Sequence, residues 1–115
     1  MARKINNCKL PKDDILRGKK FFDQIFTKGS VISGSNISIL YIKANSRKIG
    51  FVVSKNVKKA VIRNRYKRLL REIYRLNKSN FPEKAHIILL SKGKNDNFFI
   101  LQKEVLELLN KITNI

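Results

Sequence analysis

Segments in which apolar residues recur every three or four positions alternate along this chain with segments in which they run together. The first kind marks helices with one buried side, and the second marks strands. Phe22 and Phe26, one turn apart with Ile25 nearby, predict a first helix over about residues 18–28, stopped by Gly29. "SVISGS" (30–35) reads as a short strand or edge segment, and "ISILYIK" (37–43), rich in β-branched and aromatic residues, as a full strand. "ANSRK" is a turn, and "IGFVVSK" (49–55) is the next strand. A long helix is predicted over about 57–77, reaching about 31 Å at the usual rise per residue. "AHIILLS" (85–91) is the continuous apolar run of a central strand buried on both faces. "GKNDN" then breaks the chain, and Asp96 or Asn97 can cap a last helix that buries Phe98, Leu101, Val105, Leu108 and Ile112.

The order is helix, two or three strands, helix, strand, helix. An α+β domain with one mixed sheet and helices packed on it satisfies that order. Residues 1–12, basic and polar with Pro11, read as a flexible arm on a single domain covering 1–115. Neither an internal repeat nor a low-complexity linker is visible.

On a helical wheel of 57–77, Ile62, Tyr66, Leu69, Leu70, Ile73 and Leu76 form one stripe, which must face the sheet. Arg63, Asn64, Lys67, Arg68, Arg71 and Arg75 occupy the adjoining and opposite side, with Arg65 on the other flank beside Glu72. Val57 and Val61 fit the stripe poorly, which predicts extra packing near the helix start.

Charge changes the picture. Twenty-six Lys and Arg against eight Asp and Glu leave +18 and a sequence pI near 10.5. A domain of this size tolerates such self-repulsion when a polyanion screens it, either nucleic acid or an anionic membrane surface. No apolar run is long enough to span a bilayer, and no signal peptide stands at the N-terminus. Cys8 is the one cysteine and has no internal partner, which favours a reducing compartment. The expectation is a cytoplasmic protein that binds a polyanion.

Charge runs on helices are commonly solvated. Two details favour a ligand instead. Between Asp23 and Glu83 the only acid is Glu72, so the supporting Glu–Lys pairs of a solvated helix are missing. Five of the eight arginines lie within residues 63–75, and arginine's flat fork suits phosphates and base edges better than lysine's point charge. The aromatic residues Phe22, Phe26 and Tyr41 fit either a core or a stacking platform for unpaired bases. Phe21 and Phe22 are adjacent, so one of them lines a surface.

A catalytic apparatus is not visible. Asp13, Asp14, Asp23, Glu72, Glu83, Asp96, Glu104 and Glu107 are dispersed, whereas metal-dependent nucleases cluster such carboxylates. His86 is the lone histidine, at the start of a buried strand, and reads as structural. One Cys and one His make no zinc set, and a Gly-rich phosphate loop is absent.

At "SKNVKKAVIRNRYKRLLRE" (54–72) the chain resembles the protein component of bacterial ribonuclease P. The residues carrying the resemblance are Ser54-Lys55, Ala60-Val61, Arg63-Asn64-Arg65, Lys67-Arg68 and Arg71, supported by "FFDQIFTKG" and the Tyr41 strand. Lys58 departs from the small residue many members have there, and Tyr66 from an aliphatic. The resemblance implies an αβββαβα two-layer sandwich, with a mixed four-stranded sheet and a left-handed crossover carrying the basic helix. It also implies that a catalytic RNA subunit performs the chemistry, with Mg²⁺ held mainly by RNA phosphates. Lys55, Lys59, Arg63, Asn64, Arg65, Lys67, Arg68 and Arg71 would contact that RNA. Phe22, Phe26 and Tyr41 would line a cleft for the single-stranded 5′ leader of precursor tRNA, whose removal gives the mature 5′ end. Neither membrane nor DNA is expected as a partner. A ribosome-associated or structural RNA-binding protein is the main alternative, ahead of a duplex-DNA binder using helix 57–77 in a major groove. A stand-alone nuclease is disfavoured by the dispersed acids.

Overall fold

The computed structural model describes residues 19–112, so Cys8, Pro11 and the predicted arm at 1–12 lie outside the described residues. Helix α1 (Lys19–Lys28) leads into strands β1 (Ser30–Ser33), β2 (Ile37–Lys43) and β3 (Lys48–Val53). Helix α2 (Ala60–Leu76), a single 3₁₀ turn (Lys78–Asn80), strand β4 (Ala85–Ser91) and helix α3 (Phe98–Leu109) follow. The strands form one sheet in the order β1-β2-β4-β3, antiparallel except for the β3–β4 pair. The mixed four-stranded α+β architecture expected from the sequence is therefore present, with α2 as the crossover between parallel neighbours.

β4 pairs along its length with β2 on one side and with β3 on the other. That central position explains its unbroken apolar run, since both of its faces need cover. The pleat sends Ile37, Ile39 and Tyr41 of β2, Ile49 and Phe51 of β3, and Ile87 and Leu89 of β4 to one face, where they join the main core. Helices α2 and α3 close that core with Leu70, Ile73, Tyr74, Leu101, Val105 and Leu108. Each such side chain contributes about 1.5–3 kcal/mol on leaving water. Leu40, Ile88 and the half-buried Ile42, Val52 and Leu90 point to the opposite face, where α1 packs through Ile25 and Phe22. The two-layer sandwich describes the α2 and α3 side, and α1 adds a short partial layer on the other.

α2 begins three residues later than the pattern predicted because Val57 is held outside it. Val57 is buried with Val53 and Tyr66, and its Cγ2 stands only 2.1 Å from where a Cβ on Gly93 would lie. Gly93 also has φ of 74°, so glycine is needed there on two counts. The expected packing near the helix start is met by Val57 alone; Val61 is 80% exposed. Ile62 and Leu76, placed on the sheet-facing stripe, are exposed as well, and Tyr74 is buried in their stead. Tyr74 sits between the rings of Phe51 and Phe81, 6.3 and 5.0 Å away.

Asn97, rather than Asp96, caps α3: its side chain accepts from the Ile100 backbone N–H at 3.1 Å. Of the predicted stripe, Leu101, Val105 and Leu108 are buried, while Phe98 and Ile112 are half-buried against the core. Glu104 reaches from α3 to the start of β2, where its carboxylate accepts from the backbone N–H groups of Asn36 (2.8 Å) and Ile37 (2.6 Å). That contact fixes the last helix against the start of the interior strand β2.

Candidate nucleic-acid interface

With Tyr66, Leu70, Ile73 and Tyr74 turned inward, the helical repeat places Asn64, Arg65, Arg68 and Arg71 outward on α2. All four are exposed, as are Lys55 and Lys59 in the segment before the helix; Lys67 is half-buried. Val61, Asn64, Arg65 and Arg68 together line a shallow depression of about 420 Å³. The exposed Val61 side chain is thus an apolar floor among basic and amide groups.

Arg63 is half-buried, with its guanidinium turned to the backbone. Its guanidinium donates to the carbonyls of Ser54 (2.9 Å), Val57 (2.8 Å) and Val53 (3.1 Å). It ties the first turn of α2 to the end of β3. Arg71 lies over the Phe51 ring, 5.6 Å from its centroid, which steadies the side chain without removing it from solvent. Arg75, placed on the basic side by the wheel, pairs with Glu72 three residues earlier. The Arg75 hydrogen bond, acting against partial burial, holds the Glu72 carboxyl below its usual range. Arg65, on the other flank, pairs with Asp96 of the segment before α3 at 3.0 Å. Local spacing gives no sign of that pair, because the two residues meet only through the packing of α3.

The three leader-cleft candidates are not gathered on one apolar surface. Phe22 is half-buried with Ile25, Leu40 and Ile88 on the α1 face, whereas Tyr41 packs half-buried against the main core on the opposite face. Phe26 is 50% exposed. The end of α1 does lie against the β2 backbone: a Cβ on Gly29 would stand 2.5 Å from the Ile25 carbonyl oxygen and 2.8 Å from that of Tyr41. The stop at Gly29 is thus a close approach of helix to strand. Of the adjacent pair Phe21 and Phe22, Phe21 is the one that lines a surface, 43% exposed.

His86, half-buried on β4, meets the Phe21 ring edge-to-face at 5.4 Å. Burial, then the charge of Lys48, lowers its pKa below the ordinary 6.5. The folded protein therefore sheds this proton at a pH where the unfolded chain still holds it, so stability rises with pH across that window. The thermal midpoint should fall as pH drops from about 7 through the 6.5 of the unfolded group. In His86→Gln that fall should be smaller, a difference readable by calorimetry over a pH series. Equal slopes in both proteins would refute the assignment.

Among the described residues, no group of three or more His, Cys, Asp or Glu could hold a metal ion. Among the same residues no helix is long and apolar enough to cross a membrane.

A family model described as Ribonuclease P matches residues 10–113. The chain belongs to the ribonuclease P protein family. Relatives include the ribonuclease P protein component of Dictyoglomus thermophilum, 41% identical over 88 residues that span 74% of this chain and 73% of that protein. The ribonuclease P protein component of Clostridium novyi is 30% identical over 110 residues, 92% of this chain and 93% of that one. The solved RNase P protein from Thermotoga maritima has a TM-score of 0.78 at 29% identity, covering 87% of this chain and 98% of its own. A Staphylococcus aureus RNase P protein, 22% identical with a TM-score of 0.73 over 84% of this chain and 93% of its own, shares the fold. As a ribonuclease P protein component the chain is part of a tRNA-processing endoribonuclease, and the family implies an RNA partner.

Proposed function

We propose that this chain is the subunit that grips the catalytic RNA of ribonuclease P and helps it hold precursor tRNA by the single-stranded 5′ leader. The observation that carries this reading is the outward row of Asn64, Arg65, Arg68 and Arg71 on α2, extended by Lys55 and Lys59. Their forks and amide suit the phosphates of a folded RNA, and a net charge of +18 lowers repulsion between substrate and catalytic RNA. Arg63 supports the interface by fixing the start of α2, and Lys67 lies at its buried margin. Of the leader candidates, Phe26 offers the most exposed ring, while Phe22 and Tyr41 are half-buried on opposite faces of the sheet.

Cleavage itself belongs to the RNA in this reading. Mg²⁺ would be held mainly by RNA phosphates, since the described residues provide no metal-ligand set. The particle would work in the cytoplasm, where the lone Cys8 stays reduced, and single-stranded leader RNA should outcompete duplex DNA.

Reconstitution tests the proposal. The purified chain added to catalytic RNA at low Mg²⁺ should stimulate 5′ cleavage of precursor tRNA, and the chain alone should cleave nothing. Leader affinity should fall with salt at a logarithmic slope of about −0.7 per phosphate contacted. Cleavage by the chain alone, or indifference of the catalytic RNA to its presence, would defeat the reading.

A further inference from the structure

The sheet face that α1 covers only in part carries a second basic and aromatic site. Ile42, His86 and Lys48 lie side by side across three strands, because His86 pairs in register with Ile42 on β2 and with Lys48 on β3. Phe21 rises over this row from the first turns of α1, its ring at 86° to the imidazole. Gln24 of the same helix and Lys43, Asn45 and Ser46 at the β2–β3 turn close the rim of an open depression of about 510 Å³. That volume falls within the ~300–1,000 Å³ usual for small-ligand sites.

Each part of the lining has a bearing on what fits. Phe21 keeps 43% of its surface open although Ile25, one turn later, is 1% exposed. The charged side chains of the lining are lysines, and Gln24, Asn45 and Ser46 supply neutral donors and acceptors. An aromatic face beside lysines and amides suits an anion that carries a flat ring with hydrogen-bonding edges. With its pKa lowered, the imidazole is neutral at pH 7 and can donate from one nitrogen and accept at the other.

We propose that this depression is a second RNA subsite that takes one unpaired nucleotide, its base stacked on Phe21 and its phosphate against Lys43. It stands on the opposite sheet face from α2, so a strand lying there leaves the arginine row accessible. The proposal rests on the reading of the chain as an RNA-binding subunit.

His86 is the chain's one histidine, so its Hε1 proton gives a single NMR resonance of that type inside the depression. The intact 115-residue chain would be titrated with a fluorescein-labelled oligoadenylate, following anisotropy and the His86 resonance together. The expected result is binding by anisotropy and a saturating displacement of the resonance. Phe21→Ala should weaken the displacement midpoint about tenfold, as for loss of one stacked base. Lys43→Gln, on an exposed strand end, should reduce the salt slope of that midpoint by about 0.7. An unmoved resonance at saturating anisotropy would overturn the subsite and leave RNA binding elsewhere intact. An equal displacement by inorganic phosphate alone would overturn the stacked base. No anisotropy change at all would remove the subsite together with the RNA-binding reading beneath it.

Discussion

Arg63→Ala should lower the thermal midpoint by about 10 °C, while Arg68→Ala leaves it nearly unchanged. Three backbone carbonyls, those of Val53, Ser54 and Val57, take the Arg63 guanidinium. Val53 and Val57 are themselves buried, so water replaces the lost donors poorly. Hydrogen bonds from charged donors contribute about 1.5–3 kcal/mol each, and abandoned buried acceptors cost a similar amount. Allowing water to recover part of this leaves a net loss of about 3 kcal/mol, which in a domain of this size is about 10 °C. Arg63→Lys should restore only part, because one ammonium cannot reproduce the planar fork that spans three oxygens. Thermal and urea unfolding would decide. A wild-type midpoint for Arg63→Ala, with weakened RNA binding, would return Arg63 to the set of direct RNA contacts.

That reassignment shows where the sequence is readable and where it stops. β2 and β4 coincide with "ISILYIK" and "AHIILLS", since a strand covered on both sides must be apolar at nearly every position. The stripe on α2 is less faithful, for two geometric reasons. First, seventeen helical residues extend about 26 Å, longer than the roughly 20 Å of the six-residue β3 beside it, and Ile62 and Leu76, near the two ends, are left exposed. Second, the buried arc is turned toward Tyr74, by about half of the 100° step per residue. The rings of Phe51 and Phe81 receive Tyr74 there. A wheel treats a helix as if its neighbour were endless and flat, and misses both effects. The charged pairs were hidden for a different reason. Arg65 with Asp96, and Glu104 with the Asn36 and Ile37 amides, join positions 31 to 68 residues apart, and no local period encodes them. Arg63, read as a ligand contact, donates to backbone carbonyls at the end of β3 and in the turn before α2, a contact that no helical period encodes.

The Arg65–Asp96 pair makes the two neighbouring arginines unequal in RNA binding. Arg68→Ala should weaken affinity for the catalytic RNA about tenfold or more, since a charge-assisted contact to phosphate is worth about 1.5–3 kcal/mol. Arg65→Ala should cost less, because Arg65 gives up its 3.0 Å contact with Asp96 before it can meet a phosphate. With side-chain exposures of 67% and 50%, that pair is worth about 0–1 kcal/mol, a modest but measurable offset. Asp96→Asn weakens the competing contact, leaving only a neutral acceptor, and removes a negative charge beside the arginine row, so it should strengthen binding by a few-fold. The fold should not suffer, for the α3 cap is provided by Asn97, whose own N–H is taken by Asn95. Salt titrations add a second readout: Arg68→Ala should flatten the slope by about 0.7–0.9, and Asp96→Asn should leave the number of phosphates contacted unchanged. If Arg65→Ala costs as much as Arg68→Ala and Asp96→Asn brings no gain, Asp96 does not compete with RNA for Arg65. If neither arginine variant loses affinity at low salt, the outward row of α2 is not where this chain holds its RNA.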